Sequence, residues 1–238
     1  MKWGAVSKTV WHVSRIGFEA LRLPWLRLKI EGREHLPAQP FVLACSHSSN
    51  LDAPLLGWHL DGRYVAFLAK RSLFDSPFGW WYRSVHAIPV DPTGRDAVLN
   101  EVAMAKAVDV LRAGYVVGVF PQGTRSQRVG PGRPGAAKLA WAAAVPIVPA
   151  AIHGTWDSLP PGRKLPRRAR VTIRYGEPFE PWREAGDSAV EQTELIMYRI
   201  CKLLPNPGSQ LPDDPRQVCG RFAALLGPAS DQIAHLDS

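Results

Sequence analysis

Cysteine is scarce: three residues in 238, Cys45, Cys201 and Cys219, too few and too far apart for a disulfide framework. No paired Cys or His spacing resembles a zinc site, so no metal is expected, and a reducing setting fits the composition. No run of about 18 uncharged apolar residues occurs. The nearest, residues 139–152, is too short and contains Pro146 and Pro149, so a membrane span is not expected. The first residues, 1–23, carry Lys2, Lys8, Arg15, Glu19 and Arg22 without a small-residue cleavage signal, which argues against a signal peptide. There is no internal repeat, no interdomain linker and no G-x-S-x-G turn, the usual mount of a serine nucleophile.

What is present is 46% hydrophobic content, enough to bury one substantial core, and a formal net charge of +8. A basic chain is attracted to phospholipid headgroups, phosphorylated substrates, acidic carriers or nucleic acid. Nucleic acid is the least favoured of these, because the basic residues are not interleaved with aromatics on any recognisable module.

Val6, Val10, Val13, Ile16 and Ala20 recur every third or fourth residue, with Lys8, Arg15, Glu19 and Arg22 between them and Pro24 closing the series. The spacing predicts an amphipathic helix. Trp3, Trp11 and Trp25, set among cations, suit a water–lipid boundary, although packing on the protein's own core explains the pattern equally well. Short apolar or alternating runs then predict strands at 26–30, 41–45, 64–68, 85–90, 115–120, 147–152 and 171–175. Helical patterns fall at 54–60, 95–112, 136–144 and 189–204. This alternation predicts an α/β fold, a mostly parallel central sheet flanked by helices, with the amphipathic helix at its N-terminus. Residues 205–215, with four prolines, read as a loose surface segment, and 217–226 as one short helix. The expected division is a membrane-associating helix at 1–25, a catalytic domain at 26–204 and a partly irregular tail at 205–238.

Chemistry is concentrated in two loops. Ser46-His47-Ser48-Ser49-Asn50-Leu51-Asp52 joins a predicted strand to a predicted helix and holds an imidazole and a carboxylate together. An imidazole can accept a proton near neutrality while a carboxylate fixes its tautomer and stabilises the imidazolium. A hydroxyl deprotonated in this way can attack a thioester directly, with no covalent acyl-enzyme. A surface His and a helix-capping Asp would give the same spacing. The second loop, Phe120-Pro121-Gln122-Gly123-Thr124-Arg125-Ser126, follows an apolar strand and combines a flexible glycine, hydroxyl donors and a guanidinium suited to phosphate. Alone, it reads more simply as a polar turn after a strand.

Together these blocks resemble, in order, the four motifs of the lysophosphatidic acid acyltransferase family, also called 1-acyl-glycerol-3-phosphate acyltransferases. Residues 47–52 match the first motif, and Gly79-Trp80-Trp81-Tyr82-Arg83 with Ala87-Ile88-Pro89-Val90-Asp91 match the second. Residues 120–126 match the third and Val145-Pro146-Ile147-Val148-Pro149 the fourth. Glu31-Gly32, Leu36-Pro37 and Tyr175-Gly176-Glu177-Pro178 extend the likeness over residues 30–178. The resemblance implies His47 as general base, Asp52 as its orienting partner, and Arg83, Gln122, Gly123, Thr124 and Arg125 as the acceptor-binding set. One position departs. Where the family has Glu in its third motif this chain has Gln122, which keeps size and hydrogen-bonding capacity but loses a negative charge.

The function so implied moves a fatty acyl group from acyl-CoA or acyl carrier protein to the free hydroxyl of lysophosphatidic acid, with no cofactor beyond the acyl donor. The expected setting is the cytoplasmic face of a membrane, held peripherally or monotopically on its phospholipid surface. A related acyltransferase for glycerol 3-phosphate, another lysophospholipid or a glycolipid is the nearest alternative, and a non-catalytic lipid-binding protein the alternative of another class. Arg163, Lys164, Arg167, Arg168, Arg170 and Arg174 form a basic patch that suits an anionic surface or simply an exposed strand edge. Lys70 and Arg71 suit the phosphates of coenzyme A or the cap of a strand. Trp80, Trp81 and Tyr82 suit an acyl groove or the core. His86 and His153, in apolar runs, read as core histidines, and Cys45 as a small buried hydrophobe.

Overall fold

The computed structural model describes residues 4–38, 40–204, 210–211 and 214–226. β2 (Val42–Cys45) and β5 (Val116–Val119) are apolar and buried at every position, as strands covered on both faces must be. β6 (Ile147–His153) is buried through Ile152. β1 (Leu26–Glu31) and β7 (Ala169–Tyr175) instead alternate; in β7, Val171, Ile173 and Tyr175 point inward while Arg170 is exposed. With β3 (Val65–Lys70) and β4 (Ile88–Val90) these strands form a seven-stranded sheet in the order β1-β7-β6-β2-β5-β3-β4. Every pairing is parallel except β6 with β7. The expected mostly parallel α/β sheet is what forms.

The pleat sends alternate residues of β2 to opposite layers. Val42 and Ala44 join one core with α4 (Ala97–Arg112), α5 (Gly135–Ala143) and α8 (Ala189–Lys202). Leu43 and Cys45 join the other, with Leu55 and Leu56 of α2 (Asp52–Trp58) and the inward residues of β7. Val218, Cys219 and Leu226, from α9 (Arg216–Cys219) and the turn after it, complete the first core, so this part of the C-terminal segment is packed. Of the expected loose segment, residues 205–209, 212 and 213 lie outside the described residues.

α1 (Ala5–Arg22) confirms the predicted helix but turns it in an unexpected way. It docks through Trp11, which is buried against Tyr64, through Phe18 on Trp58 with ring centroids 4.7 Å apart, and through Ser14, whose Oγ accepts from Trp81 Nε1 at 2.8 Å. Of the apolar series, Val13 and Ile16 are 63% and 70% exposed. The Val6 side chain and Trp3 lie outside the described residues. Among the described residues, no helix is long and apolar enough to cross a membrane.

β4 falls furthest short of its pattern. Residues 85–90 yield only Ile88–Val90, because the preceding block winds into α3 (Gly79–Ser84) and His86 turns the chain at φ 55°. Two further short helices, α6 (Thr155–Ser158) and α7 (Pro181–Ala185), carry no periodic signal long enough to foresee.

Candidate active site

β2 lies between β6 and β5, so the loop leaving its C-terminal end opens at the middle of the sheet, where loops from several strands meet. The His47 Nδ1 lies 2.8 Å from Asp52 Oδ2. That oxygen also accepts from the backbone N–H groups of Ser48 at 2.7 Å and Ser49 at 2.8 Å. Oδ1 accepts from the Thr155 hydroxyl at 2.6 Å, and Ser48 Oγ lies 2.9 Å from the same hydroxyl. Asp52 opens α2, where a negative charge meets the positive end of the helix. A carboxylate surrounded by donors receives a proton bond from Nδ1, which leaves Nε2 with its lone pair. Asp52 is 0% exposed and the His47 side chain 19%, so the carboxylate is sealed while the ring keeps an open side.

The ring is also held from beneath. His47 stacks on Phe120 with centroids 4.0 Å apart and planes 17° from parallel, and Phe120 stacks in turn on Phe67 at 5.6 Å. Phe67 has room only because residue 118 is glycine: a Cβ there would lie 2.3 Å from the Phe67 ring. Thr155 reaches Asp52 because Gly154 turns at φ 86°, in a position where a Cβ would fall 1.9 Å from the carbonyl oxygen of Arg170.

The second loop closes against the first. Gln122 is buried, and its Oε1 accepts from the His47 backbone N–H at 3.1 Å while Nε2 donates to Arg128 O at 3.5 Å. Ser126 N–H donates to His47 O at 3.0 Å, and Arg125 Nη1 donates to Asn50 Oδ1 at 2.6 Å. Gly123 makes the turn at φ 70°, leaving Thr124 and Arg125 exposed. His47, Asp52, Gln122 and Arg125 are thus brought together as expected. The Gln122 carboxamide is engaged by backbone at both ends, so it ties the two loops together.

Arg83 goes elsewhere. It lines a cavity of about 300 Å³ with Arg71, Lys106, Phe74 and Asp75, and neither His47, Asp52 nor residues 122–125 line it. Trp80, Trp81 and Tyr82 line an apolar groove of about 620 Å³ with Leu73 and Phe78, and Trp80 itself is 60% exposed. His86 and His153 are half-buried at a turn and a strand end, not in the core as expected. Cys45 is buried, and burial pushes its thiol well up, followed by the nearby Asp52 charge, so it stays protonated and inert. In the basic patch, Arg174 pairs with Glu31 across the β1–β7 edge.

Thr155, Phe67 and Gly118 were not legible as site residues. Thr155 is 103 positions from Asp52, and Phe67 and Gly118 sit in apolar strand runs with no chemical signature.

A family model described as Acyltransferase matches residues 27–153. A 1-acyl-sn-glycerol-3-phosphate acyltransferase of Bacillus subtilis is 31% identical over 77% of this chain and 91% of its own length. The enzyme of that name from Saccharomyces cerevisiae is 25% identical over 83% of this chain and 67% of its own. The crystal structure of the 1-acyl-sn-glycerophosphate (LPA) acyltransferase PlsC from Thermotoga maritima superposes with a TM-score of 0.65 at 26% identity, covering 83% of this chain and 78% of that one. The matched region runs from β1 through β6 and spans more than half of the chain, carrying both loops that meet at His47, and on that ground this chain belongs to the acyltransferase family.

Proposed function

We propose that this protein transfers a fatty acyl group from the thioester of acyl-CoA or acyl carrier protein to the free hydroxyl of lysophosphatidic acid, with His47 as general base. The observation that supports this most directly is the Asp52 contact to Nδ1, which leaves the Nε2 lone pair to accept a proton, on a ring that is only partly covered. The acceptor hydroxyl gives its proton to Nε2 as its oxygen attacks the thioester carbonyl. The tetrahedral intermediate then expels the thiolate, which takes that proton from the imidazolium, so His47 returns to its starting form. Asp52 stabilises the transient positive charge without taking the proton. Gly123, Thr124 and Arg125 are assigned to the acceptor, with Arg125 as the cation for its phosphate. Arg83 acts from the cationic cavity it shares with Arg71 and Lys106.

In this reading residues 26–204 carry the chemistry and α1 serves as a peripheral anchor on phospholipid. Exposed Val13 and Ile16 on α1 support this, together with Phe78 and Trp80 at α3, which is joined to α1 through Trp81 and Ser14. Cations near an anionic leaflet add about 1 kcal/mol each. Transfer of radiolabelled acyl chains to a panel of lysolipids, with acyl-CoA and acyl carrier protein as donors, tests the function. His47→Ala is expected to lose activity by about 10²- to 10⁴-fold, the usual contribution of a general base. A His47→Ala variant that keeps the parent's rate rules the assignment out.

A further inference from the structure

We propose that Arg133, between the blocks at 120–126 and 145–149, is a second guanidinium for the acceptor's phosphate and sets the preference for a phosphorylated acceptor. Its side chain lies against the turn of the second loop: a Cβ on Gly123 would fall 3.0 Å from Arg133 Nε and 3.7 Å from Cζ. On the other side, a Cβ on Gly94 would lie 4.0 Å from Arg133 Nη1. Gly94 belongs to the loop after β4, so this guanidinium stands between two loops, and both present glycine to it.

The placement is fixed by the backbone. Arg133 N–H donates to Pro121 O at 2.8 Å, and Gly132 fits so closely against α8 that a Cβ would meet the Met197 side chain at 2.7 Å. The head group, by contrast, is uncommitted: Arg133 is exposed, and its guanidinium has no hydrogen bond or ion pair among the described residues. Both carboxylates of the Gly94 loop are engaged elsewhere. Asp91 is occupied by the backbone N–H groups of Thr93, Arg95 and Asp96 and by the Thr93 hydroxyl, and Asp96 Oδ1 accepts from Leu99 N–H at the start of α4. Arg125 is on the same turn as Gly123 and is tied by Asn50 to the His47 loop. Two guanidiniums thus serve one turn, one anchored to the catalytic loop and one free to fork onto oxygen. A phosphate monoester carries three such oxygens and up to two negative charges, which suits paired arginines better than one.

This inference rests on the acceptor reading above, and its test separates the two. The full-length parent, Arg133→Ala and Arg133→Lys are assayed with lysophosphatidic acid and with a monoacylglycerol of the same chain, which lacks the phosphate. Binding of inorganic phosphate is measured by calorimetry on the same proteins. Arg133→Ala is expected to raise KM for lysophosphatidic acid at least tenfold with kcat changed less than threefold, to leave the monoacylglycerol rate unaltered, and to weaken phosphate binding. Arg133→Lys restores part of each, because charge is kept and the fork is lost. Unchanged KM and phosphate affinity in Arg133→Ala, or an equal loss with both acceptors, overturns the proposal while leaving the acyltransferase reading intact. A parent that binds phosphate through Arg133 yet acylates neither acceptor overturns the acceptor reading and leaves the phosphate site standing.

Discussion

The two loops that meet at the end of β2 are built on opposite principles. In the first, every oxygen of Asp52 is matched by a donor and the carboxylate is sealed from water. In the second, Thr124, Arg125 and Arg133 are exposed and the positive charge is left largely uncompensated. A group that must hold one tautomer through a reaction needs fixed partners, because a buried unsatisfied polar atom is costly and a mobile one loses its aim. A group that must capture a phosphate from water needs its donors unpaired until the ligand arrives.

The sharpest way to break that contrast is at its sealed end. Asp52→Asn keeps the shape but sets an amide N–H₂ against donors already present, so activity is expected to fall by about 10²- to 10⁴-fold in steady-state assays. Each buried donor left unpaired costs about 1–3 kcal/mol, so the melting temperature falls as well. A variant within threefold of the parent would mean that Asp52 does not orient His47.

Thr155→Val removes only the hydroxyl that reaches Asp52 Oδ1. The loss of the charge-assisted bond, with the Ser48 Oγ contact to the same hydroxyl, is expected to cost about 1.5–3 kcal/mol by denaturant unfolding, with roughly a tenfold drop in rate. Unchanged stability would place the carboxylate's second oxygen elsewhere.

At the seam between the loops, Gln122→Glu keeps the acceptor for His47 N–H and loses the donor to Arg128 O. The rate with all lysolipids is expected to shift together, by a few-fold at most, and their ranking to stay as in the parent. A changed ranking would return Gln122 to the acceptor-binding set.

The smallest effect lies in the loop beside Arg133. Backbone N–H groups, that of Asp96 foremost, with the Thr93 hydroxyl, hold Asp91 down to about 2. A depressed folded-state pKa stabilises the fold above the unfolded value of about 4, and that contribution disappears as pH falls towards 2. The difference in melting temperature between the parent and Asp91→Ala is therefore constant above about pH 4 and shrinks from there to about pH 2. A pH-independent difference in that window would show that Asp91 acts only through shape.

Much of the fold was legible because a parallel sheet buried on both faces writes continuous apolar runs into its strands, as at residues 42–45, 116–119 and 147–152. The rotation of α1 was not, since periodicity reveals an apolar stripe but not whether that stripe meets protein or solvent. Here Trp11, Ser14 and Phe18 make the contacts while Val13 and Ile16 stay outside. The boundary of β4 was missed for a local reason, the left-handed turn at His86 after a short helix.

Along the chain, five positions separate His47 from Asp52, and a turn between strand and helix is enough to join them, so sequence alone determined that this imidazole and this carboxylate would meet. Strand order decided the rest. Setting β6 beside β2 carries Thr155 to the carboxylate, setting β3 beside β5 slides Phe67 over Gly118 beneath the imidazole, and the path from Pro121 to α5 returns Arg133 to the glycine turn. Those contacts join residues far apart in the chain, and local spacing holds no record of which strands will lie side by side.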